Sequence, residues 1–167
     1  MGSGKTSAAT YLSLRYGFQY KRYSQVLQTW CVPEEGRKGL QQLGWGVMAG
    51  GLQAELNARL IAGLNRYQSA AIDGLRHRID LESLSSNFGH SFGMIFIEAG
   101  DQVRFARLGN RFATLADFRE ADSHPVEANI DGLRPLAAAV ILNERSLQEM
   151  YEQLDAWLIS RRYEDQA

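Results

Sequence analysis

The spacing of hydrophobic positions changes several times along this chain. Between Ser7 and Tyr16, the residues Ala8, Tyr11, Leu12 and Arg15 fall at helical spacing, and Gly17 stands where such a helix stops. The next stretch, "FQYKRYS" (18–24), is short, aromatic and alternating, the pattern of a strand. A long mixed segment follows, and within it "LQAELNARLIAGL" (52–64) sets Leu52, Leu56, Leu60 and Leu64 on one helical face. "SAAID" (69–73), "SFGMIFIEA" (91–99) and "AAAVILN" (137–143) are apolar runs of strand length, and "DLESLSSNF" reads as a helix between the first two. Ser146 with Glu149 forms a capping-box pattern that opens a last helix carrying Leu147, Met150, Leu154 and Leu158. Strands that are apolar throughout and alternate with helices predict an α/β fold, a parallel sheet covered on both faces.

Composition narrows the class. The 167 residues are 45% hydrophobic and 22% charged, with no repeat or low-complexity segment, so a single globular domain over 1–167 is expected. A formal net charge of -1 gives no basic field for nucleic acid, so an anionic ligand needs a local cluster of cations. The lone Cys31 excludes an internal disulfide. With no apolar run of spanning length, the expectation is a cytoplasmic protein without a membrane partner. His77, His90 and His124 lack metal-ligand spacing.

The chemistry begins at the first residues, "MGSGKTS". A Gly-x-Gly-Lys-Thr turn running directly into a helix can curl backbone N–H groups around phosphate oxygens, and the helix N-terminus adds positive potential. In that reading Gly2, Ser3, Gly4, Lys5, Thr6 and Ser7 cradle a nucleotide phosphate, Lys5 reaches the terminal phosphates, and the Thr6 hydroxyl joins a Mg²⁺ shell. The full signature, G-x-x-x-x-G-K-[ST], places its first Gly two residues upstream of Met1 and a buried strand before that. An apolar strand ending in Gly-x is therefore expected ahead of Met1.

"AAIDGLRHR" adds a carboxylate at a strand's carboxyl end, where open α/β sheets bind ligands. Asp73 is expected to help hold Mg²⁺, and Arg76 to grip an acceptor's phosphate through two parallel hydrogen bonds. Arg104, Arg107 and Arg111, spaced by three and four, are expected on one helix face as a mobile cover over a transferring phosphoryl group. Tyr23 and Trp45 are the aromatics placed to stack on an acceptor base.

These segments together resemble P-loop kinases of the nucleoside monophosphate kinase and dephospho-CoA kinase group. The likeness runs from Gly2–Thr6 through "GRKGLQQLG" (36–44), "AIDGLR" (71–76), "RFARLGNR" (104–111) and "FREADSHPVE" (118–127) to "AAAVILNERSLQEMYEQL" (137–154). It implies a P-loop three-layer fold with a parallel sheet of order 2-3-1-4-5, strand 1 being absent from this sequence. It also implies an acceptor-binding region over about 24–67 and a lid over about 104–127. Arg37 falls where such kinases place a basic residue towards the acceptor, and Glu127 matches an acidic position after the lid. The chain departs from the family after the second strand, where related kinases often carry Ser-x-Asp or Ser-Asp followed by Arg and this one reads Ser24-Gln25-Val26-Leu27-Gln28.

The resulting expectation is an ATP- and Mg²⁺-dependent phosphotransferase acting on a small phosphate-bearing acceptor, most simply a nucleotide. Lys5, Asp73, Arg107 and Arg111 carry the chemistry; Arg37, Arg76 and Tyr23 hold the acceptor; Thr6 and Asp73 organise the metal. A dephospho-CoA kinase-like activity and a non-catalytic nucleotide sensor are the alternatives. No nucleic-acid partner is expected, and the sequence leaves the oligomeric state open.

Overall fold

A computed structural model describes residues 1–30, 36–124 and 130–164. Along the chain these form α1 (Lys5–Tyr16), β1 (Gln19–Arg22), α2 (Tyr23–Trp30), α3 (Gly36–Ala49), α4 (Gln53–Ala62) and β2 (Ala70–Asp73). Then come α5 (Arg78–Phe88), β3 (Ile95–Glu98), α6 (Asp101–Leu108), α7 (Leu115–Asp122), β4 (Ala139–Leu142) and α8 (Leu147–Glu164). The molecule is thus mixed α/β, and every strand found matches an apolar or aromatic run in the sequence. Cys31 and Glu127 lie outside the described residues.

Local chemistry sets the element ends. Gly17, at φ 72°, donates its N–H to Ser13 O while the next N–H returns to Leu12 O, which closes α1 as the sequence predicts. The Ser146 hydroxyl accepts from the Glu149 N–H at 3.1 Å and opens α8. In α4 the helix is shorter than the leucine stripe. Leu56 and Leu60 are buried, whereas Leu52 precedes the first turn and is exposed.

The described strands do not join into one continuous sheet. β1 pairs with β2 and β3 with β4, both parallel, with Gln19 opposite Ala70 and Ile95 opposite Ala139. No ladder joins β2 to β3, so the described strands form two separate two-stranded sheets. Between their free edges runs a trough of about 1990 Å³, walled by Ala70, Ile72, Ile95, Ile97, Leu154 and Trp157 among others. All four residues of β3 remain only half-buried, which is unusual for an apolar parallel strand at the middle of a molecule.

Helix α1 spans the gap on one face. Ala9 and Leu12 pack with Ala71 of β2, while Ala8 packs with Ile141 of β4 and with Met150 and Leu154 of α8. The Tyr11 and Tyr16 hydroxyls both donate to Asp155, at 2.8 and 2.7 Å, and fasten α1 to α8. A third cluster, of Tyr23, Leu27, Val47, Leu56, Leu60 and Leu84, binds α2 to α5 into a helical subassembly beside β2. Each leucine so buried contributes about 1.5–3 kcal/mol.

Candidate functional site

The loop ahead of α1 needs two glycines for geometric reasons. Gly2 and Gly4 have φ of 71° and 100°, a left-handed backbone that side chains resist. A Cβ at Gly2 would lie 2.8 Å from the Arg104 carbonyl oxygen, and one at Gly4 would strike the Asn143 side-chain amide. The loop is held closely because Asn143, 1% exposed just past β4, donates its Nδ2 to the Ser3 carbonyl at 2.9 Å. At its outer end the Met1 ammonium pairs with Asp122 at 2.9 Å, and Arg104 reaches the same carboxylate at 2.7 Å. Burial raises the Asp122 carboxyl pKa, but these two cations outweigh it and hold the group below the usual carboxylate range.

The first turn of α1 meets the end of β2. The Thr6 hydroxyl donates to Asp73 Oδ2 at 2.9 Å, and the Tyr20 hydroxyl donates to the same oxygen at 3.1 Å. Arg22 Nε lies 3.8 Å from it. The phenol of Tyr20 is pushed up by burial and then by the neighbouring Asp73. Thr6 and Asp73 were expected to share a metal, and they are adjacent. No cluster of three acidic, His or Cys side chains exists among the described residues. One carboxylate and one hydroxyl do suit Mg²⁺, a hard cation that keeps waters and phosphate oxygens for its other positions.

These groups open onto a cavity of about 670 Å³, a size usual for small-ligand sites. Gly2, Ser3, Gly4, Lys5, Thr6 and Ser7 line it together with Asp73, and Arg22, Arg76, Arg107 and Arg111 add cations. Lys5 Nζ donates to the Ser3 hydroxyl at 3.3 Å. Gly74, at φ 98°, turns the chain after β2 and brings Arg76 to the wall. Leu27, Leu40 and Leu56, with Tyr23, add apolar side chains to its lining.

The three arginines expected on one helix face are divided. Helix α6 ends at Leu108, and Gly109, at φ 52°, starts a short 3-10 turn that carries Arg111. Arg104 turns away from the cavity to Asp101 and Asp122 and stacks 5.0 Å over the Phe118 ring, a packing role. Arg107 faces the cavity but donates to the Asn143 carbonyl at 2.7 Å, to Asn143 Oδ1 at 3.1 Å and to the Arg145 carbonyl at 3.1 Å. Tyr23 is 2% exposed and donates its hydroxyl to Asn57, so it offers the cavity little ring surface. Trp45 is 41% exposed on α3 and does not line this cavity. Arg37 sits in the first turn of α3, and its side chain lies outside those described.

Sequence reasoning missed Asn143, Arg22 and a buried group around Asp80. Asp80 Oδ1 accepts from Gln53 at 2.5 Å and Asn57 at 3.1 Å, and its Oδ2 accepts the N–H groups of Arg76 at 3.2 Å and His77 at 3.0 Å. Burial lowers the His77 pKa against the opposing pull of Asp80, and Arg76 lowers it further, so the imidazole is neutral at pH 7. Asp80 stood at the start of the predicted helix "DLESLSSNF", and an acid in a first turn was the available signal. No family model and no curated protein matches the chain.

Proposed function

We propose that this chain is a nucleotide-dependent phosphotransferase of the P-loop kinase type, with ATP as donor and a nucleoside monophosphate as acceptor. The observation that carries this reading is the Thr6–Asp73 hydrogen bond, 2.9 Å long. It sets a glycine-bent Gly-Lys-Thr turn, the start of a helix and a strand-end carboxylate at one mouth, with arginines around it. Such a mouth suits phosphate more than any other small anion, because oriented N–H groups, a lysine and a helix N-terminus act together.

In this reading the loop amides and Lys5 hold the donor phosphates and stabilise charge on the moving phosphoryl group. Thr6 and Asp73 would hold Mg²⁺, which supplies charge neutralisation across the donor phosphates. Arg76 orients the acceptor phosphate, and Arg111 faces the same space from the turn after α6. Arg107, anchored through Asn143, holds the strand-end turn against the loop. No covalent nucleophile is needed, since positioning and electrostatics carry phosphoryl transfer.

The test is ADP formation with Mg²⁺, ATP and a panel of nucleoside monophosphates and dephospho-CoA. Acceptor-dependent turnover is expected, and Lys5→Ala should lower it about 10²- to 10³-fold with an unchanged circular dichroism spectrum. Turnover with dephospho-CoA alone would move the acceptor assignment. ATP binding without any acceptor-dependent turnover would leave a sensor, the reading that the Gln25/Gln28 departure favours. Survival of the Lys5→Ala rate within a few fold would remove the phosphate-loop assignment.

A further inference from the structure

The turn that carries Arg76 has little backbone support of its own. Residues 74–77 lie between β2 and α5, outside any ladder or helix, and Gly74 at φ 98° bends the chain there. Two successive N–H groups of this turn, those of Arg76 and His77, donate to Asp80 Oδ2 at 3.2 and 3.0 Å. The other oxygen of that carboxylate accepts from the Gln53 and Asn57 amides of α4, at 2.5 and 3.1 Å. Asn57 in turn accepts the hydroxyl of Tyr23, the first residue of α2, at 2.5 Å. One side chain thus ties the Arg76 turn to α4 directly and to α2 through Asn57.

Capping α5 does not account for this side chain. The capping bond is the one from His77, the residue that precedes α5; those from Arg76, Gln53 and Asn57 lie outside that helix. Asp80 is 1% exposed, and its four donors are all neutral amides. A charge buried without an opposite charge is costly, and a cap alone does not require one. What does require it is the junction, since only an ionised carboxylate offers about four acceptor positions and no donor. An asparagine here would turn an NH₂ group towards two of the four donors.

We propose that Asp80 is a positioning residue, which fixes the backbone from which Arg76 reaches into the cavity and holds it in register with α2 and α4. Arg76, Tyr23, Gln53 and Asp80 all line that cavity. A guanidinium grips a phosphate through two parallel hydrogen bonds only when its plane is set, and the main chain below it sets that plane. The inference rests on the acceptor reading given above, in which Arg76 orients the acceptor phosphate.

Steady-state kinetics on the whole chain test it, with the nucleoside monophosphates of the panel above as acceptor probes. Asp80→Asn should lower kcat/KM for the acceptor about tenfold or more and leave the KM for ATP within about twofold. Arg76→Ala removes the grip itself but keeps the N–H that Asp80 holds, so its loss should be the larger. In the double variant the further loss from Asp80→Asn should vanish to within about twofold, because no guanidinium is left to misplace. Losses that multiply would show Asp80 acting by another route and would overturn the inference. An equal fall for ATP and acceptor, the mark of a role confined to capping and packing, would overturn it too. If Asp80→Asn does not fold by circular dichroism, Gln53→Met carries the same test, since it cuts one tie to α4 and leaves the cap whole. It should cost acceptor kcat/KM about threefold or more, with the ATP KM unchanged and no further loss beside Arg76→Ala. No acceptor-dependent turnover in the unaltered chain, or full acceptor use by Arg76→Ala, would instead overturn the acceptor reading, and the inference with it.

Discussion

Asn143 Nδ2 donates to the Ser3 carbonyl while its Oδ1 and its main-chain oxygen receive the Arg107 guanidinium, so one buried amide joins the loop before α1 to β4 and α6. Asn143→Leu keeps the volume and removes both side-chain bonds, leaving a buried carbonyl without its donor. The expected cost is about 1–3 kcal/mol, read from the urea midpoint at unchanged slope. Asn143→Asp should behave differently. It retains an acceptor for Arg107 but turns a second oxygen towards Ser3, so its loss should exceed that of an exposed Asn→Asp control. Nothing in the sequence marked this asparagine, because its partner Ser3 is 140 positions away. Thr6, Asp73 and Arg76 were legible for the opposite reason. Each belongs to a short local pattern, a glycine turn into a helix or a strand ending in Asp-Gly, whose chemistry is carried by immediate neighbours. The Asp80 group was hidden because Gln53 and Asn57 read as ordinary polar positions of an amphipathic helix until Asp80 is folded against them.

Among the helices, the tie between α1 and α8 has a measurable pH signature. The Tyr11 phenol is pushed up by burial and then by its bond to Asp155, and that of Tyr16 by its bond to Asp155 and then by burial. Both phenols therefore keep their protons in the folded protein at pH values where the unfolded chain, near 10, loses them. The folded state binds more protons there, so stability falls as pH rises above about 10. Asp155→Asn removes the charge that disfavours phenolate. Its melting temperature should decline less steeply between pH 9 and about 11 than that of the unaltered chain. Element types were read well from hydrophobic period, since each apolar run became a strand and each leucine stripe a helix. The division of Arg104, Arg107 and Arg111 was not legible. A spacing of three and four assumes a helix that continues, and Gly109 ends it between the second and third arginine.

For the molecule as a whole, the trough between β2 and β3 is the largest departure from a finished α/β sheet. Both bordering strands already pair in parallel on their outer sides, and Met1 lies among the residues that line the trough. An apolar segment of about five residues joined ahead of Met1 should lie parallel between them. Making the Met1 amine an amide costs Asp122 one cation and leaves it Arg104. The apolar burial should exceed the ordering cost of about 1–2 kcal/mol per residue. Calorimetry should then show a higher melting temperature, by about 2–4 °C for each kcal/mol gained. A segment of the same length alternating Lys and Glu should give no rise, and equal effects of the two segments would show that the trough does not seat a strand. Periodicity announced the strands on either side but is silent about edges; only the family order 2-3-1-4-5 without its strand 1 implied a gap between the two pairs.

An open pair of edges also sets a condition on handling. Unpaired strand edges are templates for any extended chain, and β3 presents Ile95, Phe96 and Ile97 half-uncovered beside one. The most abundant extended chains in a concentrated preparation are unfolded copies of the same protein. Loss of material then rises more steeply than in proportion to protein concentration, and dilution protects this fold.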